Sequence, residues 1–175
     1  MKKIPLLMVS CLFLAVSGCG YSVRSSSLGS IRTIFIEPFK NKISYDREGK
    51  QTLYLPLLEV KLTNAITDRY LFDGNLRIAK KNKADLILQG ELISFQRDAL
   101  RYTDNNDVQE YRITITVSLT LWNNVKQEAM WTDPGFSGDT TYFTTGTLAK
   151  SEGTAIEDAL TDIARRIVER TVENW

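Results

Sequence analysis

The sequence predicts an α+β domain: a four- to five-stranded mixed or antiparallel sheet with two amphipathic helices packed on one face. Three observations predict it. Residues 58–70 and 155–168 each repeat apolar side chains at three- and four-residue spacing. Residues 111–122 alternate apolar and polar side chains without a break. The other β-prone runs are also one-sided, so one layer of helices can cover the sheet.

Residues 20–29 are rich in Ser and lack apolar periodicity, which suits a tether. Residues 31–39 form a β-rich run with Ile34 and Ile36 on one face and Phe35 on the other; Pro38 should end it or place it at an edge. Residues 41–51 mix charges and Gly and read as an exposed loop. In the first helix Leu58, Leu62, Ala65, Ile66 and Tyr70 make the apolar stripe, and Glu59, Lys61, Asp68 and Arg69 fall elsewhere. Asp73-Gly74 supplies the stop, because Gly accepts the left-handed conformation that closes a helix. Residues 76–79 read as a short strand. Lys80 to Lys83 is a basic turn, a solvated one in preference to a contact with anionic lipid.

Residues 85–97 predict a longer strand with Leu86, Leu88, Gly90 and Leu92 on one face, and Gly90 marks a bulge or the close approach of another backbone. A polar loop over 103–108 carries Asp104, Asn105, Asn106 and Asp107. It joins that strand to the strict alternation of 111–122 in a long hairpin, whose register is strongly specified because a one-residue slip would invert its faces. After an Asn123-Asn124 turn, 129–132 returns as a strand, Asp133-Pro134-Gly135 interrupts it, and 136–143 continues. Ser151 or Thr154 can cap the last helix, whose stripe is Ala155, Ile156, Ala159, Leu160, Ile163, Ala164, Ile167 and Val168. Both stripes should bury against Ile113, Ile115, Val117 and Leu119, each large aliphatic side chain contributing roughly 1.5–3 kcal/mol.

The N-terminus speaks to location. Lys2 and Lys3 precede a largely apolar run that ends in Val16-Ser17-Gly18-Cys19. A charged head, an apolar run too short to span and a small-residue exit mark an export signal. Abutting a cysteine, the exit resembles the lipobox of bacterial lipoproteins, in which the signal is cut before an acylated Cys. The expected organisation is a lipoprotein signal peptide over 1–18, a lipidated tether over 19–30 with Cys19 as the lipidation site, and a single α+β domain over 31–175. Gly20 stands where an Asp would favour inner-membrane retention in similar lipoproteins, which implies an outer-membrane, lipid-anchored domain facing the periplasm or the lumen of a barrel.

Composition narrows the chemistry. Without Lys2 and Lys3 the chain has 20 basic and 21 acidic side chains, which argues against nucleic acid as a partner. Cys11 leaves with the signal and Cys19 is acylated, so no disulfide, nucleophilic thiol or Cys-ligated metal is expected. The sequence contains no histidine, the commonest general base and metal ligand. No phosphate-cradling Gly loop or nucleophile elbow occurs. The expectation is no enzyme, no cofactor, no metal and no catalytic residues; a carboxylate-based glycan hydrolase is the weakest of the competing readings.

Several segments together resemble the LptE family. They are Cys19-Gly20-Tyr21-Ser22, Ile34-Phe35-Ile36-Glu37-Pro38-Phe39-Lys40-Asn41, Leu62-Thr63-Asn64-Ala65-Ile66, Asp85-Leu86-Ile87-Leu88-Gln89-Gly90 and Glu110-Tyr111-Arg112-Ile113-Thr114-Ile115-Thr116-Val117, with the closing helix ending in Asn174-Trp175. The resemblance implies an outer-membrane lipoprotein that plugs and helps assemble the β-barrel LptD and assists lipopolysaccharide insertion. It also implies a sheet carrying two helices. Thr114, Thr116, Ser118 and Thr120 would offer a polar face to the barrel lumen. Basic residues in the hairpin loop and before the last helix would meet the anionic glycolipid, which here points to Arg101 and Lys150, with Arg97 and Arg112 as nearby alternatives. Asp104 and Asp107 depart from a simple cation site, since they repel phosphate. The alternative reading is another envelope assembly lipoprotein, a pilot or secretion-pore subunit, because fold alone does not settle function.

Overall fold

The computed structural model describes residues 30–44 and 55–173. The proposed signal peptide, Cys19, most of the tether, the middle of the charged loop and Asn174-Trp175 lie outside the described residues. The elements run β1 (Thr33–Ile36), β2 (Lys40–Asn41), α1 (Leu58–Asp73), β3 (Arg77–Ile78), a single 3-10 turn (Lys81–Lys83), β4 (Leu86–Tyr102), β5 (Val108–Asn123), β6 (Glu128–Phe143) and α2 (Glu152–Glu173). They form one mixed sheet in the order β3-β1-β4-β5-β6, with β2 in line after β1 against the same side of β4. β1 pairs parallel with β3 and β4, whereas β4, β5 and β6 form an antiparallel meander. The predicted α+β architecture is what the chain adopts.

β5 carries the fold's clearest logic. Ile113, Ile115, Val117, Leu119 and Leu121 are buried, while Arg112, Thr114, Thr116, Ser118 and Thr120 alternate on the other face. The buried row meets α2 through Ala159, Ile163 and Ile167 and joins Leu62, Ile66 and Tyr70 of α1 in one core. Gly74 stops α1 at φ 72°, its N–H returning to Tyr70 O at 3.1 Å. Ser151, not Thr154, caps α2: the Ser151 hydroxyl accepts from Thr154 N at 3.1 Å.

Two glycines set how closely the layers approach. At Gly90 a Cβ would meet the Phe39 ring, so the close neighbour is a side chain, neither the expected bulge nor the expected second backbone. The chain leaves β1 at Glu37-Pro38, turns Phe39 inward over Gly90, and resumes pairing at Lys40. At Gly138 a Cβ would stand 2.7 Å from Ile163 Cβ and 2.8 Å from its Cα, so this glycine admits the backbone of α2.

Two further expectations are corrected. Asp133-Pro134-Gly135 does not interrupt β6. The register shifts between the Val117–Phe136 and Leu119–Asp133 pairs, and that bulge absorbs the proline within one 16-residue strand. β4 runs five residues beyond Arg97, to Tyr102, because the hairpin continues past the edge of the core.

Candidate functional site

The four cations singled out in the sequence meet at one end of the sheet. In the hairpin Arg97 lies opposite Ile113, Asp98 opposite Arg112, and Arg101 opposite Glu110. Glu110 in turn faces Phe143, which bridges to Ala149, and Lys150 N donates to Phe143 O at 3.0 Å. The tip beyond them is a closed turn: Asn106 takes φ 65°, and Thr103 N donates to Asp107 O at 2.8 Å.

Each of these cations already has an acid. Arg97 meets Glu152 at 2.6 Å, Arg101 meets Glu110 at 3.0 Å, Arg112 meets Asp139 at 3.8 Å and Lys150 meets Asp158 at 2.7 Å. The pairs differ in character. Arg97 is 18% exposed and lies over the Tyr111 ring at 4.8 Å, and Tyr111 stacks on Tyr142 at 5.6 Å. Arg97 therefore binds the hairpin to the first turn of α2. Burial pushes the Tyr142 hydroxyl up, with the Glu152 carboxylate acting in the same direction. Arg112 and Lys150 pair with exposed acids, and such surface pairs contribute only about 0–1 kcal/mol, so an incoming anion can exchange with the carboxylate; Arg101 is exposed, but its partner Glu110 is buried, and this pair must stay closed.

Thr114, Thr116, Ser118 and Thr120 are half-buried on the sheet face opposite the helices. Among the described residues no element covers this face. Neighbouring strands extend its hydroxyl character: Thr120 and Thr132 share a hydrogen bond at 3.3 Å, and Ser137 and Thr141 stand in the row opposite Thr116 and Arg112.

The sequence did not signal one feature of this face. A cleft of about 320 Å³ opens where the chain cranks between β1 and β2, lined by Glu37, Pro38, Lys40, Gln89, Gly90, Glu91, Ser118 and Thr120. Glu37 is held below the usual carboxylate range, chiefly by the Lys81 ammonium at 2.9 Å, with Gln89 donating at 2.9 Å from the other side. Only the register of β2 on β4 creates this cleft, and a proline after a strand does not reveal it. Among the described residues no group of His, Cys, Asp and Glu is placed to hold a metal ion, and no helix is long and apolar enough to cross a membrane.

Together these features define a small two-layer α+β domain with a hydroxyl-rich open sheet face and an ion-paired hairpin end. Residues 31–171 match the LptE family, described as lipopolysaccharide-assembly, and the chain belongs to that family. It is thus a protein of lipopolysaccharide assembly in the cell envelope.

Solved structures share the fold. A protein from Xanthomonas campestris superposes with a TM-score of 0.58 at 15% identity, over 80% of this chain and 83% of that one. A hypothetical protein from Chlamydia trachomatis gives 0.54 at 11% identity, over 81% and 96%. A minor lipoprotein from Acinetobacter baumannii gives 0.52 at 14% identity, over 82% and 94%. None of the curated proteins matches the sequence.

Proposed function

We propose that this chain is an outer-membrane lipoprotein, acylated at Cys19, that sits within and helps assemble the β-barrel LptD and assists insertion of lipopolysaccharide. The observation that carries the reading is the family match over nearly the whole folded domain, downstream of a lipobox-like Val16-Ser17-Gly18-Cys19. The open sheet face supports it. Barrel lumens are polar and wet, and a row of half-buried hydroxyls can exchange water for lumen hydrogen bonds at little cost.

The glycolipid end is the hairpin end. Lys150 and Arg112 are the cations that can release an exposed carboxylate for a phosphate, Arg101 keeps the buried Glu110 through Nε and offers the rest of its guanidinium, and Arg97 positions the hairpin. Asp104 and Asp107 at the tip limit which anions approach from that side.

Purification of the tagged, lipidated protein from its own envelope tests the reading. A single large β-barrel recovered in roughly equal amount is the expected result. Recovery as a closed ring of this chain alone, or with soluble partners only, contradicts it.

A further inference from the structure

The opposite end of the domain carries an exposed apolar and basic corner. α1 finishes with Leu71 and Phe72 facing outward, 63% and 81% exposed, although both lie in a helix whose other large side chains are mostly buried. Ile78, the last residue of β3, is also exposed. The Arg69 guanidinium lies over the Phe72 ring at 5.4 Å. β3 is tied to the entry of the chain: Arg77 N donates to Arg32 O at 2.9 Å, and Thr33 pairs with Arg77. The basic turn closes the same corner, Thr33 reaching Lys83 O at 3.5 Å.

Charge distinguishes this corner from the hairpin end. Among the described residues Arg32, Arg69, Arg77, Lys80 and Lys83 form no ion pair. The acids nearby are already engaged. Asp85 accepts from Arg32 N, Thr33 N and the Thr33 hydroxyl at 2.8–2.9 Å, Asp73 accepts from Asn75, and Glu37 holds Lys81. Asp68 is the remaining acid on the exposed side of α1.

The position of the corner fixes what can cover it. The chain enters the described structure at Ser30, three residues before β1, and eleven residue-to-residue steps separate it from Cys19. Fully extended, that span reaches at most roughly 36–40 Å. β4 carries the hairpin tip roughly 50 Å further along the sheet from Leu86 to Tyr102.

We propose that Leu71, Phe72 and Ile78, with Arg69 over the Phe72 ring and Arg77 and Lys80 in and just after β3, form a membrane-contact surface that rests on anionic phospholipid beside the Cys19 acyl chains. The proposal rests on the reading of Cys19 as the lipid anchor. An aromatic tip with surrounding cations is the chemistry of an interfacial anchor: the ring enters the headgroup boundary and the cations meet lipid phosphates. Docking this corner places the Arg101–Lys150 end at the far end of the domain from that contact.

The test uses the mature lipidated protein, in which acylation blocks Cys19, so an introduced thiol alone takes a fluorophore. Phe72→Cys and Asn105→Cys are labelled separately and reconstituted into vesicles of phosphatidylethanolamine and phosphatidylglycerol carrying a nitroxide-lipid quencher. Quenching at position 72 and little at 105 is the expected result. Combining Phe72→Cys with Arg77→Gln and Lys80→Gln should lower the docked-to-undocked ratio by about five-fold per cation, while the protein still floats with the vesicles. Equal quenching at both positions, or none at 72 in protein that floats, overturns the contact surface and leaves the anchor intact. Protein that does not float at all overturns the anchor reading, and the proposal with it.

Discussion

Gly138→Ala should loosen the domain by a predictable amount. The added methyl would lie 2.7 Å from Ile163 Cβ, 2.8 Å from its Cα and 3.0 Å from its N. Non-bonded carbons rest at about 3.5–4.0 Å, so α2 must retreat from β6 by roughly 0.7–1.3 Å. Overpacking typically costs about 1–3 kcal/mol. The obstacle here is helix backbone rather than a rotatable side chain, which puts the expected cost at about 2–3 kcal/mol.

For a domain of this size each kcal/mol moves the midpoint by about 2–4 °C, so thermal unfolding followed by circular dichroism should fall by about 4–12 °C. Gly135→Ala in the same strand is the control. Nothing lies within 4 Å of its Cβ position, so its midpoint should hold or rise slightly. Adding Ile163→Ala to Gly138→Ala should not rescue it, since Cβ, Cα and N all remain. Equal midpoints for Gly138→Ala and Gly135→Ala would refute the close approach.

Other predictions follow from single contacts. Asp85→Asn should cost about 1.5–3 kcal/mol at neutral pH, because three donors lose a charged acceptor. Partial burial pushes the Asp85 carboxyl up, but donation from Arg32 N and Thr33 outweighs burial and holds it below its ordinary range. The stabilisation is therefore present above the unfolded carboxyl's value near 3.9 and fades as pH falls through the lowered folded value; urea melts of both proteins should converge in strong acid. Ser151→Ala should lower stability by about 1 kcal/mol in the same melts through loss of the α2 cap. Lys150→Ala should leave stability within about 1 kcal/mol yet weaken binding of lipopolysaccharide measured by co-precipitation, whereas Arg97→Ala should lower both.

The sequence exposed what depends on periodicity and hid what depends on register. The alternation over 111–122 revealed β5 and its buried row because a half-covered strand repeats every two residues. Gly74 and Ser151 were legible because helix ends have local chemistry. Phe39 over Gly90 and Ile163 over Gly138 were not, since each joins segments dozens of residues apart. Asp133-Pro134-Gly135 suggested a break, but a bulge lets a proline stay within a strand.

The candidate cations were found as residue types, and their meeting at one end required the hairpin's pairing. Their acidic partners were invisible beforehand, because Glu110, Asp139, Glu152 and Asp158 arrive from three different elements. Leu71 and Phe72 were legible only as residues outside the α1 stripe. Their exposure, and the seating of Arg69 over the Phe72 ring, came only with the packed structure.

The most direct test of the account is photocross-linking from Thr116, at the middle of the open sheet face, in intact envelopes. A cross-linking side chain there should yield one adduct, with the large β-barrel of lipopolysaccharide assembly. Cells that assemble lipopolysaccharide normally while position 116 gives no barrel adduct would contradict it.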